Sequence, residues 1–238
     1  MPAANTRMTL TPHKTLRLSI VMPVLDEAAS IAATLRALQP LRARGHELIL
    51  VDGGSRDTTP TLCQGLTDRL LSAPRGRARQ MNAGAAAAQH EVLLFLHADT
   101  LLPGNADAAI GRAVRQGAAW GRFDVHIDGR SRMFPLIAAL MNARSRYTGI
   151  ATGDQALFVR RALFERVGGF PDQPLMEDVE LSRRLRVVAA PACLRERVLT
   201  SGRRWERHGV WHTMFLMWRL RWRYWRGASP EVLARAWR

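Results

Sequence analysis

The run Val92-Leu93-Leu94-Phe95-Leu96-His97-Ala98-Asp99-Thr100 constrains this chain more than any other stretch. Five apolar residues in succession suit a strand buried on both faces, the condition of a parallel sheet with helices on each side. The burial ends at His97 and Asp99, which lie two apart and so share one face of an extended chain. In open α/β sheets the carboxyl rim of the strands is where ligands bind. Asp99 is therefore a candidate metal-site or phosphate-site residue. Taken alone it also suits a helix cap or a turn before Pro103.

The neighbouring segments fit such a sheet. Leu16 to Met22 reads as a strand stopped by Pro23, Ala28 to Leu38 as a helix, and His46 to Val51 as a second strand ended by Asp52-Gly53-Gly54-Ser55. Strand, helix, strand in so short a stretch is a βαβ unit with a right-handed crossover. A helix over Thr61 to Leu70, a strand over Leu71 to Ala73 and an Ala-rich helix over Ala78 to Gln89 lead to the Val92 strand, the alternation of a doubly wound nucleotide-binding half. Past Asp99 the pattern predicts helices over Pro103 to Arg115 and Met133 to Arg144. Ala118 to Ile127 alternates like a strand able to run antiparallel, and Ala156 to Arg160 is a short strand. Met176 to Val188 is a helix opened by acidic residues, which its dipole favours. Residues 16–205 thus read as one α/β domain with a mostly parallel central sheet and helices on both faces. A polar tail, 1–15, precedes it without an apolar leader core.

Two cysteines, Cys63 and Cys193, belong to no paired motif, which fits a reducing compartment. No run approaches the roughly 18 apolar residues of a membrane span. A cytoplasmic protein is expected, with peripheral contact to an inner membrane. Lys and Arg outnumber Asp and Glu by 35 to 20, a net charge of +15, and every basic residue except Lys14 is Arg. Such an excess favours polyanionic partners: nucleic acid, an anionic membrane or phosphate-bearing substrates. A nucleic-acid-binding module would concentrate its arginines on one recognition element. Here they spread from Arg7 to Arg238, so no nucleic-acid partner is expected.

The C-terminal extension, 206–238, is rich in Trp and Arg. Trp211, Phe215, Trp218, Trp222 and Trp225 recur at i, i+4, i+7, i+11 and i+14, one face of an amphipathic helix. Arg219 and Arg226 flank that face on one side and Arg221 on the other. Tryptophan beside arginine suits a helix lying in a lipid headgroup layer; the same stripe would also serve packing on the domain or across a dimer.

Several polar groups fall at the predicted strand ends. Asp52, followed by two glycines, can accept hydrogen bonds from a ribose or base while the backbone approaches closely, or it can simply make a tight turn. Pro23, Asp26 and Glu27 end the first strand beside it. Arg75-Gly76-Arg77-Ala78-Arg79-Gln80 opens a helix whose dipole opposes arginine unless an anion or carboxylate is present. That hints at phosphate or base recognition, with a solvated basic turn as the competing explanation. Glu177-Asp178 follows Gly168-Gly169-Phe170-Pro171 and is either a general base or a capping pair. Arg203-Arg204-Trp205 follows a predicted strand, where two guanidiniums would suit a diphosphate.

Together, Ile20 to Glu27, Val51-Asp52-Gly53-Gly54-Ser55, Arg79 to Gly84, His97-Ala98-Asp99, Gly168-Gly169-Phe170, Glu177-Asp178 and Arg203-Arg204-Trp205 occur in the order seen in family 2 glycosyltransferases of the GT-A (nucleotide-diphospho-sugar transferase) fold. The chain most resembles the bacterial subgroup labelled arsenosugar biosynthesis, or selenium-domain-associated, glycosyltransferase. The resemblance implies inverting transfer of a sugar from a nucleotide-diphosphate donor to an acceptor it does not name. Pro23, Asp26, Glu27, Asp52 and Arg79 fall where the family holds the nucleoside, with His97 beside them. Asp99 falls on the last Asp of the metal-binding Asp-x-Asp motif, and Asp178, next to Glu177, on the catalytic base. Arg203, Arg204 and Trp205 resemble an element near diphosphate or acceptor, and Asp154 and Gln155 are assigned to the acceptor side. His97 replaces the first Asp of the motif. Imidazole binds Mn²⁺ but suits Mg²⁺ less well, so the implied cofactor is a divalent metal, Mn²⁺ or Mg²⁺, held with one negative charge fewer than usual. A nucleotidyltransferase on a similar fold would want a glycine-rich phosphate loop where Pro23-Val24-Leu25-Asp26 stands.

Overall fold

Buried strands β1 (Leu18–Val24), β2 (Glu47–Asp52), β3 (Arg69–Ser72) and β4 (Val92–Phe95) form the parallel half of the sheet, in the order β3-β2-β1-β4. The computed structural model describes residues 16–237; the expected 1–15 tail lies outside the described residues. Beyond β4 the sheet continues through β7 (Leu157–Arg160), β6 (Trp120–Asp128), β8 (Ala192–Ser201) and β5 (Thr100–Leu101). β7 is antiparallel to both β4 and β6, while β6 is parallel to β8. Thus the longer strand predicted to reverse is antiparallel to its neighbour β7 and runs in the direction of β4 and β8.

Alternate residues of each strand feed opposite cores, as the two-residue period requires. Leu18, Ile20 and Met22 join Leu48, Leu94 and the buried face of α1 (Ile31–Ala43), with α4 (Ala106–Arg115) and α5 (Phe134–Thr148) on the same side. Val21, Ile49 and Phe95 join α3 (Arg77–Ala87), α6 (Arg161–Arg166) and α7 (Glu177–Val188) on the other. At Gly84 α3 lies so near the sheet that a Cβ would stand 2.4 Å from Val21 Cγ1.

Two expectations are corrected. Pro23 does not stop β1, which runs through it to Val24. β4 pairs only as far as Phe95, opposite Val21, so the N–H that proline lacks falls where that ladder has already ended. The helix expected over Thr61 to Leu70 is a single turn, α2 (Thr59–Cys63). Gly65 takes a left-handed φ of +74°, and Asp68 then accepts a hydrogen bond from the Leu48 N–H at 2.8 Å, drawing the chain into β3.

Gly209 and Gly227, with φ of +83° and +87°, divide the C-terminal segment into α8 (Arg203–His208), α9 (Val210–Trp225) and α10 (Pro230–Trp237). Leu220 of α9 and Leu233 of α10 bury themselves against Leu175 and Met176, the residues just before α7. The aromatic stripe of α9 faces outward, with Trp211, Phe215, Trp218, Trp222 and Trp225 all more than half exposed.

Candidate active site

The register aligns Val24 with Asp52 and Val21 with Phe95, so the polar ends of β1, β2 and β4 share one rim. Their loops lock one another. Asp26 accepts from the Arg56 N–H at 2.7 Å and its own N–H donates to Ser55 Oγ at 2.9 Å. The Asp52 carboxylate accepts from the Gly54 and Ser55 N–H groups and from Ser55 Oγ. Glu27 donates its N–H to Thr59 Oγ1 at 2.8 Å and accepts from Ser30 Oγ. From α3, Gln80 Nε2 donates to the Val24 and Val51 carbonyls at 2.8 Å each. Pro23 is buried and contributes backbone shape.

α3 also positions the acidic pair. The Asn82 side chain exchanges two hydrogen bonds with the Phe170 backbone, Nδ2 to O at 2.8 Å and N–H to Oδ1 at 3.0 Å, which holds the Gly168-Gly169-Phe170 loop leading to α7. At the start of α7 Asp178 Oδ2 accepts from the Gly153 N–H at 2.7 Å. Gly153 opens a 3-10 turn, Gly153–Gln155, that touches the end of β4: a Cβ there would stand 2.2 Å from the His97 ring. His97 Nδ1 lies 3.5 Å from Asp154 Oδ1, and Arg77 Nη1 lies 3.6 Å from Glu177 Oε1. One centre therefore gathers His97, Asp154, Glu177, Asp178 and Arg77.

Electrostatics distinguish these carboxyls. Burial pushes Glu177 above the ordinary carboxyl value and the Asp178 charge adds to this, with Arg77 opposing. At Asp154 desolvation works in the same direction, but the hydrogen bond and charge of His97, then Arg77, outweigh it and hold the group low. Backbone strain concentrates here as well. Among the described residues the non-glycine positions with positive φ are Asp26, Ala156 and Met176, which flank the β1 end, the 3-10 turn and the Glu177-Asp178 pair. Such conformations are uncommon and gather at functional sites.

Other sequence candidates make contacts of their own outside this group. Arg79 pairs with Asp172 at 2.7 Å on the exposed outer edge, while Arg77, two residues earlier, faces the carboxylates. Gln155 is fully buried and its Oε1 accepts from the Thr152 N–H, closing the turn. Arg203 donates to Ser201 Oγ, and Arg204 donates to the Trp237 carbonyl and stacks 3.6 Å above the Trp237 ring, pinning α10. Trp205 instead lines a cavity of about 250 Å³ between α5 and α9, with Ile137, Met141, Arg144, Met217, Trp218 and Arg221 among the other walls. Arg144 carries no sequence signal, whereas Arg77 lies in the Arg75 to Gln80 segment that hints at phosphate or base recognition and Arg221 flanks the aromatic face of α9.

No three His, Cys, Asp or Glu side chains converge on a metal position among the described residues. The residue types at the β4 end, a carboxylate at Asp99 and an imidazole at His97, are ones that a divalent ion keeping waters and taking its remaining ligands from phosphates would accept.

The glycosyl transferase family 2 model matches residues 19–168. The undecaprenyl-phosphate 4-deoxy-4-formamido-L-arabinose transferase of Pseudomonas aeruginosa is 29% identical over 173 residues, 63% of this chain and 48% of its own length. The chain thus spans about half the length of the curated relatives it matches. Among solved structures, the mannosyltransferase PcManGT from Pyrobaculum calidifontis, in complex with GDP-Man and Mn²⁺, superposes with a TM-score of 0.61 at 22% identity, covering 79% of this chain and 57% of that one. S. aureus TarS in complex with UDP-GlcNAc gives 0.62 at 14% identity, covering 78% and 58%. Glucosyl-3-phosphoglycerate synthase from Mycobacterium tuberculosis, with Mn²⁺, uridine diphosphate and phosphoglyceric acid, gives 0.57 at 20%, covering 76% and 68%. These structural likenesses are of fold, and the fold is GT-A.

Proposed function

The chain belongs to glycosyl transferase family 2, and from that premise we propose that it transfers a glycosyl group from a nucleoside diphosphate sugar to an acceptor, with inversion at the anomeric carbon. The observation that carries this reading is the join between Asp178 and the nucleotide half: Asp178 is hydrogen-bonded to Gly153, and Gly153 is pressed against His97 at the end of β4. A base on the acceptor side and the diphosphate rim on the donor side thereby meet across one turn.

In this reading the interlocked loops bearing Asp26, Glu27 and Asp52 shape the nucleoside pocket over Pro23. Asp178 takes the acceptor proton as the acceptor oxygen attacks. Glu177, buried behind it, fixes the Arg77 guanidinium toward the diphosphate, where negative charge gathers as the leaving group departs. A divalent metal at Asp99, with His97 beside it, would supply further charge neutralisation on the diphosphate. Residues 16–205 make the transferase domain and 206–238 the extension. Within the family we place the chain with the arsenosugar biosynthesis or selenium-domain-associated subgroup, on the motif order from Asp26 to Trp205.

No helix among the described residues is long and apolar enough to cross a membrane. The outward Trp face of α9, with exposed Arg219 and Arg226 beside it, instead lies on an anionic lipid surface. Its charge and its aromatic rings match that interface.

Thermal unfolding with UDP, GDP, ADP and TDP, with and without Mn²⁺ or Mg²⁺, tests the donor site. A ligand at 100 times its dissociation constant adds about 2.7 kcal/mol. One diphosphate should raise the melting temperature in a metal-dependent way, and Asp99→Ala should lose the shift. No shift with any diphosphate in the wild type removes the donor site.

A further inference from the structure

We propose that the cavity between α5 and α9 takes an aromatic hydroxy acid as the acceptor, its carboxylate on Arg144 and Arg221, its ring among the apolar walls and its ring hydroxyl at Asp178. This rests on the glycosyltransferase reading and names the acceptor class that reading leaves open.

The cavity is apolar except for those two guanidiniums. Arg144 Nε and Nη2 are buried with no hydrogen-bond partner among the described residues. These two nitrogens form one edge of the guanidinium, an edge that takes both oxygens of a carboxylate at once. A buried charge without a partner is something folded proteins avoid. Here burial, and then the facing charge of Arg221, push Arg144 down to about 9. Arginine nevertheless keeps its proton in proteins, so an anion is what relieves the site. The charge of that anion is limited by what stands beside it. Asp178 and Asp154 both act on the two guanidiniums, so a dianion would meet the repulsion of two carboxylates, and a single negative charge suits the site.

The walls select the body of the ligand. Met141, Met214 and Met217, with the indoles of Trp205 and Trp218, line the cavity. Thioethers make favourable contacts with ring edges, and indoles stack on ring faces. An apolar cavity of about 150 Å³ takes a benzene ring, so this one, about 250 Å³, takes a ring and a short arm. A rigid ring also keeps the two polar ends of the ligand on separate partners. A phenol ionises near pH 10, roughly as tyrosine does, which makes its proton easier for a lone carboxylate to remove than that of a sugar hydroxyl. In the transfer that proton passes to the Asp178 carboxylate as the phenolic oxygen bonds to the anomeric carbon. The bond from that carbon to the diphosphate oxygen breaks, and its electron pair leaves with the nucleoside diphosphate.

Calorimetric titration of the full chain with para-hydroxycinnamate tests this, beside its methyl ester, which lacks the charge, octanoate, which lacks the ring, cinnamate, which lacks the hydroxyl, and the dianion phenyl phosphate. Para-hydroxycinnamate should bind tighter than all four. Arg144→Met and Arg221→Met should each weaken it about tenfold or more, as loss of a charge-assisted hydrogen bond does. Arg166→Met, which removes an exposed arginine of α6, should leave it unchanged. The advantage over cinnamate, also about tenfold, should shrink in Asp178→Asn. Because a buried unpaired charge is removed, ligand-free Arg144→Met should melt no lower than the wild type, which reports an intact fold. Equal binding of the methyl ester, wild-type affinity in both arginine variants, no advantage over cinnamate, or tighter binding of octanoate or phenyl phosphate overturns the proposal. The predicted order of binding without any diphosphate shift upholds the cavity as an aromatic-acid site and overturns the donor reading; a diphosphate shift without that order keeps the donor site and overturns the cavity.

Discussion

The rim centre and the α5–α9 cavity are neighbours with opposite electrical character. The first collects Asp154, Glu177 and Asp178 around one cation, Arg77. The second collects Arg144 and Arg221 within apolar walls and has no carboxylate in its lining. Their construction differs too. Rim side chains are held by backbone groups, as the Gly153 N–H holds Asp178 and the Arg56 N–H holds Asp26. The cavity is made by side chains of α5 and α9 meeting across the fold, with Trp205 of α8 between them. A group fixed by the backbone is suited to chemistry that demands placement, whereas a helix-walled pocket selects by volume and charge.

Substitutions test that contrast, the largest effect first. Asp178→Asn should lower turnover on the order of 10³-fold, within the range for loss of a general base, while the diphosphate melting shift stays as in the wild type. Turnover within a few fold of normal would take the base role from Asp178. On the lipid side, Trp222→Ser combined with Trp225→Ser should weaken partition onto anionic vesicles about 100-fold. Each ring that inserts roughly 55 Å² contributes ~1.4 kcal/mol, a factor of ten. Unchanged vesicle binding would assign the face to something other than lipid.

A finer pair sits on α3. Arg77→Met should cost about tenfold in diphosphate affinity, whereas Arg79→Met, which breaks only an exposed ion pair with Asp172, should leave affinity unchanged and stability within about 1 kcal/mol. The reverse result would move the diphosphate to the outer edge. The smallest effect is in pH dependence. Glu177 has its pKa raised by burial and by Asp178, so the native state holds that proton to higher pH than the unfolded chain, where the ordinary value is 4.5. Stability should therefore fall as pH rises above that value, and Glu177→Gln should remain flatter. Denaturant unfolding curves at acid and neutral pH would show it, and parallel curves for the two proteins would not.

Much of the nucleotide half was legible in the residues because its signals are local. Uninterrupted apolar runs mark β2 and β4, and polar groups directly after them mark the rim. What misled was context. Pro23 reads as a stop only if a neighbour strand needs its N–H, and β4 has already ended there. The Thr61 to Leu70 pattern reads as a helix until Gly65 turns left-handed. The aromatic period of α9 was visible, but period gives a face and not its direction; Leu220 on the other side is what packs.

By itself the sequence determined the layered α/β architecture, the rim residues Asp26, Asp52 and Asp99 and the acidic start of α7, because strand burial, turn chemistry and helix dipoles act over a few residues. Tertiary structure decided which of these meet. It set Gly153 between His97 and Asp178, turned Arg77 toward Glu177 and Arg79 toward Asp172, and brought Arg144 of α5 to Arg221 of α9, 77 positions later in the chain. Contacts between distant elements depend on how whole faces pack, and no residue pattern along the chain carries that distance.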